Sequence, residues 1–140
     1  MKTLRFIGIA LLTVLLSVSF SACGSDDDGP QTSSSPLIGT WEKTNGNGDY
    51  YILEFKADGS YLEVEYEGTT EVIKKSYKGS YKILSVNGNT YEVTAFVKEI
   101  YKKNKGSETV NESNTVFITL SDNNNTMKSS VSSDLYKRKK

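Results

Sequence analysis

"YYILEFKADGSYLEVEY", residues 50–66, sets two apolar-rich runs on either side of an Asp-Gly pair. Period-two alternation on each side of turn residues reads as a β-hairpin. With Asp58-Gly59 as a two-residue turn, Lys56 pairs with Tyr61, Phe55 with Leu62, Leu53 with Val64 and Tyr51 with Tyr66. That register gathers apolar and aromatic side chains on one face. A slip of one residue sets Leu53 against Glu63 and breaks the face. The expected outer face then carries Tyr50, Ile52, Glu54, Glu63, Glu65 and Glu67. Its cost, Glu54 opposite Glu63, is about a few tenths of a kcal/mol in solvent.

The same pattern continues on both sides of the hairpin. Further strands are expected at residues 37–43, 71–77, 79–86, 90–100, 115–120 and 126–133. Between them stand "NGNG", "EGTT", "NGN", "NKGSE" and "SDNNN", residues suited to turns. At "NGN", residues 87–89, a three-residue loop puts Tyr81, Ile83, Tyr91, Val93, Ala95 and Val97 on one face. A two-residue loop scatters them, so the longer one is preferred. "KKNKGSETVNESN", residues 102–114, reads as a long polar loop overhanging one end. About eight short strands in sequence-neighbour order predict an all-β, antiparallel up-and-down meander. Closing it into a barrel removes the exposed edges.

"LIGTWEKT", residues 37–44, holds Gly39 and Trp41 in a G-x-W arrangement on the first strand. Together with "LEFKADGSY", "KGSYKI" and "TVFITLSDNNNTMK", it makes residues 37–136 resemble the lipocalin-like domain proteins that occur as small outer-membrane lipoproteins in Bacteroidota. The resemblance implies a barrel whose base is closed by Gly39 and Trp41. It also implies a basic residue of the last strand, Lys137 or Arg138, over the tryptophan. The implied activity is binding rather than catalysis.

The N-terminus agrees with such a protein. "MKTLR" is a positive start, and residues 6–18 form an uncharged apolar run, the pattern of a signal peptide. That run falls short of the about 20 residues a membrane helix needs. "SFSAC" then resembles a bacterial lipobox, with Phe20 where an aliphatic residue is usual. Cys23 is the expected lipid attachment point and new N-terminus. Residues 1–22 are therefore read as a lipoprotein signal peptide, 23–36 as the acylated cysteine with a flexible acidic tether, and 37–140 as the barrel domain. Asp26, Asp27 and Asp28 look like the surface-export signal of Bacteroidota lipoproteins. The expected location is the outer membrane, held by the lipid on Cys23 and facing the cell exterior.

Composition narrows the chemistry. The chain has 17 Lys and Arg against 17 Asp and Glu, no histidine and one cysteine. Losing Lys2 and Arg5 with the signal peptide leaves a slight negative balance. There is no electrostatic footprint for nucleic acid, and the basic end "YKRKK" reads as a solvated terminus. Without histidine, neither a Ser-His-Asp triad nor a His-based metal site can be built. Asp122 lies in "SDNNNT", which lacks the glycine and final glutamate of a calcium loop. No phosphate-cradling glycine loop occurs. No catalytic residue, metal or cofactor is expected.

Nine tyrosines are the one compositional oddity. They suit half-buried sheet faces. Four of them, Tyr51, Tyr66, Tyr81 and Tyr91, are the candidate ligand-lining residues at an open barrel end, with Trp41, Phe55 and Leu62 plugging the other. Two readings of function stand. One is a barrel holding a small apolar or aromatic ligand. The other is a filled barrel that contacts glycan or protein partners through its loops.

Replacing Cys23 with alanine is expected to leave a precursor that takes up no labelled fatty acid, because the acylated thiol is gone. Continued labelling of that variant would exclude Cys23 as the anchor.

Overall fold

The structure, a computed structural model, describes residues 34–140. Cys23 and the acidic residues Asp26, Asp27 and Asp28 lie outside that range. Eight antiparallel strands follow one another in chain order and close into a barrel. They are β1 (Gly39–Thr44), β2 (Tyr50–Phe55), β3 (Ser60–Tyr66), β4 (Ile73–Asn87), β5 (Thr90–Lys102), β6 (Gly106–Ser121), β7 (Thr126–Ser129) and β8 (Leu135–Arg138). The all-β, eight-stranded meander expected from the alternation is what forms.

The strands divide differently from the expectation. Residues 71–77 and 79–86 belong largely to one long strand, β4, which runs through Gly79. Glycine is needed there: a Cβ on Gly79 would lie 1.8 Å from the Phe96 carbonyl oxygen on β5. Much of the polar stretch 102–114 is strand rather than loop. Lys102 pairs with Gly106 across a tight turn, and β6 then runs back along β5. The basic C-terminus is not a frayed end either, since β8 pairs with both β7 and β1.

The 50–66 hairpin forms, one residue out of the expected register. Phe55 pairs with Tyr61, Leu53 with Glu63 and Ile52 with Val64. The cause is the turn. Lys56 N donates to Ser60 O at 3.0 Å, which encloses three residues, Ala57, Asp58 and Gly59. Only Gly59 takes a positive φ, +80°. A two-residue type I′ turn needs positive φ at both central positions, whereas a three-residue turn with a left-handed glycine needs it once. Asp58 instead caps the turn, its Oδ1 accepting from Ser60 N at 2.8 Å. Glu63 and Glu65 therefore turn to the inner face and Leu62 and Val64 to the outer.

At residues 87–89 the turn also differs in length from the expectation, yet the faces are as expected. Asn87 pairs with Thr90 across two residues, and a bulge between Ile83 and Ser85 then shifts the ladder by one. Tyr81 thus pairs with Ala95 and Ile83 with Val93.

The core fills one end of the barrel. Leu37, Trp41, Phe55, Tyr81, Ile83, Tyr91, Val93, Ile118, Leu120, Met127 and Tyr136 form a single buried cluster. Trp41 Nε1 donates to Leu37 O at 2.9 Å, tying the entering chain across the floor. The opposite end is less enclosed. β7 pairs only with residues 118–121 of β6, so among the described residues the upper half of β6 carries no strand on that side.

Gly79→Ala is expected to destabilise the barrel by about 3 kcal/mol or more, because the clash is with backbone that cannot rotate away. A urea midpoint within error of wild type would show that β4 and β5 separate more easily than their contact implies.

Candidate functional site

Inward-facing residues of strands separated by alternation share the lumen. Above the Trp41 floor they leave a cavity of about 340 Å³. Its lower wall is apolar, with Leu53, Phe55, Val93, Val116 and Ile118. Across from Phe55 and Leu53, Tyr61 and Glu63 of β3 face it, together with Tyr77 of β4 and Tyr136 of β8. Glu112 and Asn114 of β6 form the opposite rim, and Ser129, Val131 and Ser132 complete it where β7 ends.

Glu63 and Tyr61 act as a unit. The Tyr61 hydroxyl donates to Glu63 Oε2 at 2.6 Å. Burial, reinforced by the charge of Glu63, holds the Tyr61 phenol well above the ordinary tyrosine range. The same two causes, burial first, raise Tyr136, so the Glu63 charge is felt across the cavity. Tyr61 also packs on Phe55 with ring centroids 5.8 Å apart, which fixes the donor beneath the carboxylate.

Two lysines border this wall. Lys43 Nζ pairs with Asp134 Oδ2 at 3.0 Å. It also sits 4.8 Å from the Tyr51 ring centroid and 4.6 Å from that of Tyr136. Lys75 Nζ lies 4.6 Å from the Tyr77 centroid. Neither lysine is among the residues that line the cavity.

None of Tyr51, Tyr66, Tyr81 and Tyr91 lines it either. Tyr81 belongs to the floor, its ring edge-on to Phe55 at 4.8 Å and its hydroxyl donating to Lys56 O at 2.9 Å. Tyr91 is buried in the same cluster. Tyr51 packs against the core but meets Lys43 and Asn45 Nδ2 rather than the cavity. Tyr66 is on the outer face, its ring 6.0 Å from that of Tyr50. The tyrosines that do line it are Tyr61, Tyr77 and Tyr136. Tyr61 and Glu63 were hidden by the register of a single turn.

At the base, a basic residue of the last strand covers Trp41, as the resemblance implied. The Arg138 guanidinium carbon lies 4.2 Å from the Trp41 ring centroid. Its Nη1 donates to Ile38 O at 2.8 Å and its Nε to Asn124 O at 2.9 Å, with Nη2 donating to Pro36 O. Gly39, at φ +138°, leaves room for this: a side chain there would strike Nη1 at 2.5 Å.

The chain matches no family model, no curated protein and no solved structure.

The raised phenols make a pH prediction. Tyr61, Tyr81 and Tyr136 all lie above their ordinary value of 10.0 in the folded barrel. Above that value the unfolded chain loses phenolic protons that the fold retains, which favours unfolding. Stability from these groups is thus fully present below pH 10 and falls as pH rises beyond it. Urea midpoints measured from about pH 9 to about pH 11 should decline; a flat profile would contradict the burial of these hydroxyls.

Proposed function

We propose that this chain is a non-catalytic ligand-binding barrel of the lipocalin-like lipoprotein type, tethered through Cys23 to the outer membrane with its domain outward. The observation that carries the binding role is the lumen cavity. At about 340 Å³ it falls within the roughly 300–1,000 Å³ range of small-molecule sites. Its mostly apolar wall with a few polar groups near the rim suits one small molecule held by its apolar body. An eight-stranded barrel has an interior that side chains either fill or leave open for one small ligand. Here the large residues gather at the floor, and Ala95 faces the space above it.

A second reading has its own support. Phe117 is 53% exposed, Leu135 57% and Val131 69%. They lie where β6 runs on past β7, so a protein or glycan partner has apolar surface to meet there. The two readings differ in which variant removes binding.

Ala95→Phe fills the lumen without touching the outer face. Titrating the purified domain with a lipid and small-aromatic library, and following tryptophan and tyrosine fluorescence, should reveal a ligand that this variant no longer binds. If nothing binds wild type below roughly millimolar, about −4 kcal/mol, the carrier reading gives way to the interaction-protein one.

A further inference from the structure

The walls of the cavity differ in charge as well as polarity. Among the described residues that line it, the only charged side chains are two carboxylates, Glu63 and Glu112. Glu63 projects from the middle of β3 between Tyr61 and Tyr77, with Tyr136 near enough to feel its charge. A carboxylate offers acceptor sites only, and Tyr61 occupies one of them. Any further partner must bring a donor.

The aromatic walls favour a positively charged donor. Tyrosine faces attract ammonium groups, and this wall already seats two. Lys43 Nζ lies 4.6 Å from the Tyr136 centroid and Lys75 Nζ 4.6 Å from the Tyr77 centroid. Neither lines the cavity, and Lys43 has its charge matched by Asp134. A metal ion fits poorly. Hard cations take six or more oxygen ligands, and the described residues hold no group of three or more potential metal-binding side chains. The apolar floor also leaves most of the volume unsuited to a hydrated ion. A sugar, polar on all sides, would leave its hydroxyls against Leu53, Val93, Val116 and Ile118.

We propose that the lumen binds an organic cation, a primary amine on an apolar or aromatic body, with its ammonium group on Glu63 between the Tyr61 and Tyr77 side chains and its apolar end on the floor. This rests on the ligand-binding reading above and specifies the ligand's charge. Glu112, on the rim of β6 and exposed, would add attraction at longer range.

Three probes of equal length separate the terms: 4-phenylbutylamine, 4-phenylbutanol and 4-phenylbutanoate, measured by calorimetry against the barrel domain. The amine is expected to bind about tenfold or more tighter than the alcohol, as a desolvated cation–π and carboxylate contact would give, and the acid to bind weakest. Glu63→Gln keeps an acceptor for Tyr61 and should remove most of the amine's advantage over the alcohol, leaving the alcohol unchanged. Glu112→Gln should lower amine binding less. Equal binding of amine and alcohol by wild type would overturn the charge assignment while leaving the carrier reading standing. So would an amine preference that is undiminished in a folded Glu63→Gln variant. Binding of none of the three would overturn both. The wild-type comparison needs no variant to fold.

Discussion

The barrel depends on a closure made by few residues. β8 meets β1 in only two residue pairs, Trp41 with Arg138 and Glu42 with Lys137. Two backbone pairs are a thin seam for an eight-stranded sheet, and Arg138 reinforces it. Its guanidinium covers the Trp41 ring and reaches carbonyls of the entering chain at Pro36 and Ile38 and of the β6–β7 turn at Asn124. That turn is itself unusual, with positive φ at Asp122, Asn123 and Asn124, a conformation that Asn and Asp tolerate better than other side chains. One planar cation thus fastens three segments over one buried ring, a role a lysine's point charge could not fill.

Fastening at the base leaves the other end free to differ. β4, β5 and β6 are 15, 13 and 16 residues long, while β7 and β8 have four each. The long strands rise past the short ones, and the wall is incomplete above Ser129. The irregularities in the β4–β5 and β5–β6 ladders bend the long strands, as bulges do, and the contact at Gly79 holds β4 hard against β5. The cavity lies where the long wall faces the short one, so floor and cavity follow from one difference in strand length.

Much of this was legible in the sequence. Alternation and turn residues specified an antiparallel meander of about eight strands, and the lipocalin-like resemblance implied a tryptophan floor with a basic residue over it, the position Arg138 takes. The strand limits were less legible, because polar residues such as Thr109 and Asn111 look the same in a loop as in a strand exposed on both faces. Alternation did not reveal β8, because four residues between Asp134 and Lys139 carry none long enough to detect. The site was missed for a different reason. Its position depends on whether one turn has two residues or three, and Asp-Gly is compatible with both.

Hydrophobic patterning favoured the wrong register there, and the physical reason shows what the real one gains. Leu62 and Val64 on the inner face would each contribute on the order of 1.5–3 kcal/mol if buried from water. Val64 loses little by facing outward, however. It is only 5% exposed, paired with Ile52 on one side and with the buried Ser76 on the other. Opposite Phe55, Tyr61 brings a ring of its own and a hydroxyl for Glu63. The apolar burial that seemed to demand Val64 inside is thus largely recovered outside. The inner face can then carry a carboxylate, a residue that packing alone would never place in a barrel and that a lumen open to a charged ligand can use.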